Sequence, residues 1–131
     1  MMVDVFEEDV GGAGGGPITD EYLDRLLGQD SFWAFTAFAG SEIVGGLTAH
    51  TLAMTRSASS EVFIYDLAVR ADHRRHGVGS RLIDELRHRA SAAGIRVVFV
   101  PADNDDNHAL DFYRAQGAVE SPVTFFTFTS P

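Results

Sequence analysis

Apolar and aromatic residues form three consecutive strand-like runs in the first half of the chain. Residues 31–40 are rich in aromatic side chains and end at a Gly-Ser pair, and residues 42–55 follow at once, which predicts a β-hairpin. After a polar loop at 56–60, residues 61–69 are rich in the β-branched and aromatic side chains that favour strands. The pattern therefore predicts the antiparallel part of a sheet.

The apolar spacing then changes to a helical period. Between Gly77 and Ala93 the apolar residues recur at helical spacing, and Gly94 is expected to end this helix. The short apolar run at 95–102 predicts a buried strand, and residues 107–117 predict another helix that ends at a glycine. A strand, a helix and a strand in succession are typical of two parallel strands joined by a crossover.

The two ends of the chain carry the remaining predicted elements. Residues 1–10 are consistent with a short helix, and the glycine-rich stretch at 11–17 indicates a flexible break. Thr19 is expected to cap the helix that follows it. The alternating residues 123–129 predict a last strand. The order of elements indicates an α/β (α+β) fold with a mixed sheet, and not a doubly wound one.

The composition is that of an ordinary globular protein. A length of 131 residues predicts a single domain over 1–131, and apolar and charged fractions of 45% and 22% argue against disorder. The chain lacks an apolar run of about 18–20 residues, which argues against a membrane span. It has no cysteine, which excludes disulfides and thiolate nucleophiles. The acidic start does not resemble a secretory signal, so we expect a cytoplasmic protein.

The charge balance points to cationic partners. Nineteen acidic residues against ten basic ones give a formal net charge of −9, which repels nucleic acid and anionic membranes and attracts polycations. The simpler interpretation is that an acidic protein is merely soluble. However, half of the basic residues fall within positions 74–89, which suggests an anionic ligand there; they are Arg74, Arg75, Arg81, Arg87 and Arg89. The histidines show no metal-ligand spacing with a carboxylate, and we expect no metal.

A basic, glycine-containing loop at residues 74–80 joins the third strand-like run to the following helix. The first amides of a helix lack intrahelical partners and lie at the positive end of its dipole. Gly77 and Gly79 would let a ligand approach the backbone, and arginines would add charge-assisted hydrogen bonds. The loop matches neither the P-loop nor the dinucleotide fingerprint. Its pattern favours a pyrophosphate ligand, and the alternative is an ordinary basic loop that caps a helix.

Two motifs carry a family resemblance. The run V-R-A-D-H-R-R-H-G-V-G-S-R-L-I (69–83) resembles motif A of the GNAT family of acyl-CoA-dependent N-acetyltransferases, and A-L-D-F-Y-R-A-Q-G (109–117) resembles the family's second motif. Three shorter runs are similar to type I aminoglycoside 3-N-acetyltransferases: Y-D-L-A-V (65–69), H-R-R (73–75) and V-P-A-D-N-D-D (100–106). The resemblance implies a GNAT fold, with a mostly antiparallel twisted sheet, a splayed parallel pair of strands and flanking helices.

The resemblance also implies how acetyl-CoA would bind. The backbone of Leu67 and Val69 would bond the pantetheine arm in the gap between the splayed strands, and an amide near Leu67 or Ala68 would polarise the thioester carbonyl. The amides of residues 75–80 would hold the pyrophosphate. The implied acetyl-CoA contacts are Leu67, Ala68, Val69, Arg74, Arg75, His76, Gly77, Val78, Gly79, Ser80, Asp106, Ala109 and Tyr113.

In this family the amine attacks acetyl-CoA directly, which requires an acid for the leaving thiolate. Tyr113 is the candidate, because a phenol has a pKa of about 10 and is protonated at neutral pH. The alternative is a tyrosine that only packs its ring in the core.

The proton on the amine substrate requires a base, and Asp103 is the candidate. It follows the strand at 95–102, where ligands lie beside parallel strands. Two alternatives remain open: Asp103, Asp105 and Asp106 bind the cationic substrate, or they form a solvated loop that caps the helix from Asn107. The candidate substrate-binding residues are Glu61, Tyr65, Asp66, Asp103, Asp105 and Asp106.

In two places the chain departs from the family pattern. It begins within the region of the family's first helix, so we expect the usual preceding strand to be missing. The family often has asparagine seven residues before its tyrosine, where this chain has Asp106. A sheet with an exposed edge makes a homodimer a reasonable expectation.

The resemblance implies an enzyme that transfers acetyl from acetyl-CoA to a primary amine of an aminoglycoside, at the 3-amino group, and so confers resistance. Acetylation of another small polyamine and a non-catalytic acyl-CoA-binding domain are the alternatives. The expected partner is a small cationic amine, and neither nucleic acid nor a membrane.

Overall fold

The computed structural model describes residues 18–131. The short helix expected at 1–10, the glycine-rich break at 11–17 and the expected absence of a first strand fall outside the described residues. Two compact units are present: the first runs to Pro101, and the second comprises Ala102–Pro131. The single domain over residues 1–131 stays a prediction.

The order of elements follows the hydrophobic pattern. The described elements are α1 (Asp20–Leu27), β1 (Phe32–Ala39), β2 (Glu42–Ala53), β3 (Ser60–Val69), a 3-10 turn (Ala71–His73), α2 (Val78–Ala92), β4 (Val97–Phe99) and α3 (Asn107–Ala115). The strands form one sheet in the order β1-β2-β3-β4, with antiparallel pairing from β1 to β3 and a parallel β3–β4 pair. This confirms the mixed α/β sheet.

The helix ends also agree with the sequence. Thr19 caps α1, because its Oγ1 accepts a hydrogen bond from the Tyr22 N–H at 3.1 Å. Gly94 follows α2 as predicted. The hairpin between β1 and β2 turns at Gly40. Local signals were therefore sufficient to place these ends.

The core of the first unit lies between α2 and the sheet. Leu82, Ile83 and Leu86 form the buried face of α2, which packs against β1, β2 and β3. Leu47 of β2 and Val62 of β3 are fully buried in the sheet. Burial of an aliphatic side chain of this size contributes roughly 1.5–3 kcal/mol. This packing holds α2 against the sheet and so places the loop that precedes it.

A β-bulge interrupts β3 in its middle. Thr48 pairs with Asp66, but its neighbour Ala49 pairs with Ile64, so Tyr65 is an extra residue without a pairing partner on β2. After a bulge, residues that would have pointed to one face of the sheet point to the other, and the side chain of the extra residue is redirected. As a result, Leu67 lies on the same face of the sheet as Ile64.

The strand predicted within 95–102 is confirmed, but its predicted length and burial are wrong. The strand contains three residues, Val97–Phe99, and Val97 and Phe99 are 46% and 40% exposed. The physical reason is the position of β4 at the end of the sheet order, where it has one neighbouring strand. An apolar run alone does not distinguish an edge strand from a central one.

The predicted last strand at 123–129 is also wrong. The structure assigns no strand to these residues, and Val123, Phe125, Phe126 and Phe128 are exposed. An alternating pattern fits a pleated, half-buried ribbon, but a strand also needs a neighbour to accept and donate its backbone hydrogen bonds. In the described part of the second unit, α3 is the one helix and no strand is assigned.

Candidate functional site

The parallel pair of strands separates after a short region of contact. The pairs are Glu61 with Val97, Val62 with Val98 and Phe63 with Phe99. Strand β3 continues for another six residues to Val69, whereas β4 has ended. Along this stretch β3 is paired with β2 on one side and with no strand of the described chain on the other. The expected splaying of the parallel pair is confirmed.

The direction of the β3 peptide groups follows from one hydrogen bond at the end of the strand. The Arg70 N–H donates to the Val44 carbonyl of β2 at 2.8 Å, so the Arg70 amide points toward β2. In an antiparallel strand the N–H and C=O of one residue point to the same side, and successive residues alternate. The peptide groups of Leu67 and Val69 therefore point toward the open side, and those of Ala68 point toward β2.

An arginine of the basic loop already contacts this open side. The Val69 carbonyl accepts a hydrogen bond from Arg74 Nε at 3.3 Å. The distance is slightly longer than the usual range for such a bond, and the Arg74 side chain is exposed. The contact confirms that the Val69 carbonyl faces away from β2. It also shows that a group with a hydrogen-bond donor can reach this position.

The loop enters α2 through left-handed backbone conformations. Gly77 is the N-cap residue, with φ 79° and ψ 11°, and Arg75 has φ 68°. The Arg81 N–H donates to the Gly77 carbonyl at 3.0 Å and forms the first bond of the helix. No side chain caps this helix, so the amides that precede Arg81 are directed at the loop. Alternating backbone conformations of this kind form concavities that bind anions.

The basic side chains around the loop differ in whether they pair with carboxylates. Arg74, Arg75 and His76 are exposed. The rings of His73 and His76 meet edge to face, with centroids 5.9 Å apart. Arg70 instead pairs with carboxylates, which are Asp72 at 2.9 Å and Glu42 at 3.6 Å. The arginines available to an anion are therefore those of the loop itself.

Gly45 of β2 is a residue that the sequence analysis missed. A Cβ at this position would lie 2.9 Å from Val78 Cγ1 and 3.1 Å from the Ala68 carbonyl oxygen. The first turn of α2 can approach the sheet this closely because residue 45 has no side chain. The available signal was a glycine pair within a strand-like run, which often marks a close approach of another segment.

In the second unit, the acidic segment before α3 has one defined structural role. Asp106 is the N-cap of α3, and its Oδ1 accepts a hydrogen bond from the Ala109 N–H at 3.0 Å. The Asp106 N–H donates to the Asp103 carbonyl at 3.0 Å, and the side chains of Asp103 and Asp105 are exposed. The capping interpretation thus applies to Asp106, and this bond already occupies the amide of Ala109.

Tyr113 lies on α3 and is half-buried. Its ring meets that of Phe112 edge to face, with centroids 5.1 Å apart. Burial raises the pKa of the Tyr113 phenol above its ordinary value of 10.0, and the negative charge of Asp106 raises it further. The phenol is therefore protonated at neutral pH and can donate a proton or a hydrogen bond.

The candidate substrate residues of the first unit lie on β3. Glu61 pairs with Val97 of β4 at the start of the strand. Tyr65 is the bulge residue and is 65% exposed, and Asp66 next to it is exposed. The structure thus places Glu61, Tyr65 and Asp66 in one unit and the acidic segment of α3 in the other.

Residues 18–131 contain neither a helix that could span a membrane nor a cluster that could hold a metal ion. No helix there has both the length and the apolar character to cross a bilayer. The same residues contain no group of three or more histidine, aspartate or glutamate side chains placed to hold a metal ion.

The described structure is similar to solved acetyltransferases. The aminoglycoside acetyltransferase meta-AAC0020 from an uncultured soil metagenomic sample was solved with trehalose and with sisomicin. The trehalose complex is 36% identical at a TM-score of 0.86 and covers 92% of this chain and 80% of its own. The sisomicin complex is 37% identical at a TM-score of 0.85 and covers 95% and 83%. A second aminoglycoside acetyltransferase from such a sample, HMB0005, is 38% identical at a TM-score of 0.81 and covers 88% and 77%.

Sequence comparisons agree with the structural ones. The uncharacterized N-acetyltransferase YvbK of Bacillus subtilis (strain 168) is 30% identical over 100 residues, which are 76% of this chain. The matched region spans 57% of that relative's length. The model of the acetyltransferase (GNAT) family matches residues 3–118. Together with the splayed parallel pair and the basic loop before α2, this match shows that the chain belongs to the acetyltransferase (GNAT) family.

Proposed function

We propose that this chain transfers the acetyl group of acetyl-CoA to a primary amine of an aminoglycoside, at the 3-amino group, and thereby confers resistance on its host. The observation that carries the proposal is the open side of β3, which leads directly into the basic, left-handed loop at the start of α2. Two neighbours of 36–38% identity are aminoglycoside acetyltransferases, which supports the substrate class.

The residues present fit acetyl-CoA. The Leu67 carbonyl and the N–H and carbonyl of Val69 would pair with the amides of the pantetheine arm, as a further strand would. The amides at the start of α2 and the guanidinium groups of Arg74 and Arg75 would hold the pyrophosphate. Acetyl-CoA supplies the activated acetyl group when it is bound.

Groups of the protein itself would then stabilise the developing negative charge and transfer the protons. The amide of Leu67 would donate to the thioester carbonyl oxygen and stabilise the negative charge that develops there, a contribution of about 3–4 kcal/mol where such donors have been removed. The amine nitrogen forms the new bond to the carbonyl carbon, and the carbon–sulfur bond breaks. Asp103 accepts the proton from the amine, and Tyr113 gives its proton to the departing thiolate.

The acidic surface supports a cationic acceptor but does not select one. A net charge of −9 concentrates any polyamine, and an aminoglycoside carries several ammonium groups. The same observation favours a second candidate, which is acetylation of another small polyamine by the same groups. The Y-D-L-A-V and V-P-A-D-N-D-D runs are the features that favour the aminoglycoside.

Titration calorimetry with acetyl-CoA and a thiol-release assay test the proposal. We expect heat with acetyl-CoA and thiol release with sisomicin, and NMR of the product should show acetylation at the 3-amino group. Acetylation at the 6′-amino group would contradict the position, and turnover with linear polyamines alone would support the second candidate. An absence of both heat and thiol release would refute the proposal.

A further inference from the structure

Four aromatic rings form one row across the whole sheet. Phe32 of β1 is paired with His50 of β2, His50 with Phe63 of β3, and Phe63 with Phe99 of β4. The centroids of the first ring pair are 5.2 Å apart, and Phe63 and Phe99 are stacked with centroids 5.2 Å apart and ring planes at 10°. These four residues are called the aromatic row below.

The aromatic row lies on the face of the sheet opposite α2. A Cβ at Gly45 would point at Val78 of that helix, which assigns Gly45 and the residues at alternate positions along β2 to the helix side. His50 has the opposite alternation. Its ring and the ring paired with it on β3 therefore point away from α2.

The bulge adds a fifth ring to this face. Tyr65 meets His50 edge to face at 5.9 Å between centroids and Phe63 edge to face at 6.1 Å. Tyr65 is 65% exposed, so neighbouring side chains cover only the smaller part of its surface. The irregularity of β3 therefore places a tyrosine at the margin of the aromatic row with its phenol accessible.

A carboxylate lies in the neighbouring register row. Glu61 is paired with Leu52 of β2 and with Val97 of β4, and it shares the face of Phe63 two residues later. Leu52 and Val97 are 42% and 46% exposed. Glu61 has no ion-pair partner among the side chains of residues 18–131. The Glu61 carboxylate thus lies beside exposed apolar and aromatic side chains, and Asp66, which is paired with Thr48, adds a second carboxylate on the same face.

Cross-strand ring pairs by themselves stabilise a sheet. That role accounts for Phe32 and His50, which are largely covered. It does not account for a 40% exposed Phe99 stacked at the sheet edge, or for an unpaired glutamate among apolar side chains. Exposed aromatic and apolar surface with convergent polar groups is typical of ligand-binding surfaces.

Resting on the proposed function, we infer that this face binds the acceptor, and that its occupant is a cationic amino sugar. The C–H face of a sugar ring would stack on Phe63 and Phe99, and an ammonium group of the same ring would pair with Glu61. Charge complementarity supports this occupant, because a protonated amine close to aromatic faces gains from both the carboxylate and the rings. A second copy of the chain would instead bring two Glu61 carboxylates onto the same surface.

The test measures KM and kcat for sisomicin in two variants of the face. Glu61→Gln removes the charge at constant size, and we expect KM for sisomicin to rise about tenfold with little change in kcat. Phe99→Leu removes the ring but retains an apolar side chain, and we expect KM to rise about threefold. The KM for acetyl-CoA should not change in either variant.

Two matched variants control for charge and for loss of a ring. Glu21→Gln makes the same change of charge on α1, and Phe38→Leu makes the same change at an exposed phenylalanine near the end of β1. Both should retain the wild-type KM for sisomicin. Thermal melting of all four variants shows whether each one is folded.

The outcomes separate this inference from the proposed function. Acetylation of sisomicin with an unchanged KM in both face variants would overturn the inference and leave the function intact. Binding of sisomicin that weakens in the face variants, without thiol release, would support the inference and refute the function. An absence of sisomicin binding, or a dimer that dissociates in Phe99→Leu while KM stays constant, would overturn the assignment of this face to an amino sugar.

Discussion

The Val69 carbonyl accepts a hydrogen bond from Arg74 Nε at 3.3 Å, so the side chain of Arg74 lies against the open side of β3. Val69 is the last residue of β3, and Arg74 is the first arginine of the basic loop. A ligand that pairs with the Val69 peptide group would displace this contact. The same guanidinium would then be free to bind the pyrophosphate a few residues further along.

We expect Arg74→Gln to weaken acetyl-CoA binding about tenfold and to reduce the dependence of that affinity on salt. Loss of the Arg74 charge should weaken acetyl-CoA binding more than loss of the long, exposed Arg74–Val69 hydrogen bond strengthens it. Titration calorimetry at two ionic strengths measures both effects. Arg87→Gln, on an exposed position of α2, is the matched control and should retain both values. Tighter binding in Arg74→Gln would show that the Val69 contact competes with the ligand.

Gly77→Ala should lower both stability and acetyl-CoA affinity. Its φ of 79° lies in the left-handed region, where a side chain costs about 1–2 kcal/mol, and no atom within 4 Å would clash with a Cβ. Gly40→Ala is a close control, because Gly40 has φ 65° and open space but lies in the β1–β2 turn. Urea unfolding should show similar losses in both variants, whereas calorimetry should show weaker acetyl-CoA binding in Gly77→Ala.

A carboxylate at the same positions sharpens the comparison. Gly77→Asp should abolish acetyl-CoA binding, because the negative charge would lie where the pyrophosphate is expected. Gly40→Asp should leave the affinity unchanged. Equal affinities in the two aspartate variants would refute the assignment of the loop.

Gly45→Ala should destabilise the protein by about 1–3 kcal/mol, because the new Cβ would lie 2.9 Å from Val78 Cγ1 and 3.1 Å from the Ala68 carbonyl. We also expect weaker acetyl-CoA binding, since the first turn of α2, which carries the loop amides, must move away from the sheet. Val78→Ala removes one of the two clashing atoms and should recover part of the loss in the double variant. Strictly additive free energies of unfolding would show that Gly45 does not set this approach.

Tyr113→Phe should lower kcat and leave acetyl-CoA affinity unchanged, since the phenyl ring retains the packing with Phe112. The phenol must be protonated to act as the acid, and its pKa is raised above 10.0. The contribution of Tyr113 should therefore be complete at neutral pH and be lost only as the pH rises through that raised value. Tyr22→Phe, at an exposed tyrosine of α1, is the control. An unchanged kcat in Tyr113→Phe would remove the acid role.

Asp103→Asn should lower kcat and flatten the acidic limb of the pH–rate profile, because a base acts only when it is deprotonated. Asp105→Asn makes the same change two residues away and should retain the wild-type profile. A rise in KM for the amine with an unchanged pH profile would assign Asp103 to cation binding. Both side chains are exposed, so neither substitution should alter stability by more than about 0.5 kcal/mol.

The elements that local signals specify were predicted well. The hairpin of β1 and β2, the helix from Val78 and the Thr19 cap all follow from side-chain period and capping residues close in sequence. The two wrong strand predictions, 95–102 as buried and 123–129 as a strand, share one cause. Each depends on which strand lies alongside, and residues close in sequence carry no information about that neighbour.

The candidate site likewise has features that local sequence specifies and features that depend on which strands lie side by side. The amino-acid sequence by itself determined the basic loop, its glycines and the position of Tyr113 on a helix, because these depend on residue type and on local backbone preference. Only the tertiary structure decided which peptide groups face the open side of β3, how closely α2 approaches Gly45 and that four rings align across the sheet. Those relationships depend on strand register, and the Tyr65 bulge shifts that register by one residue in the middle of β3.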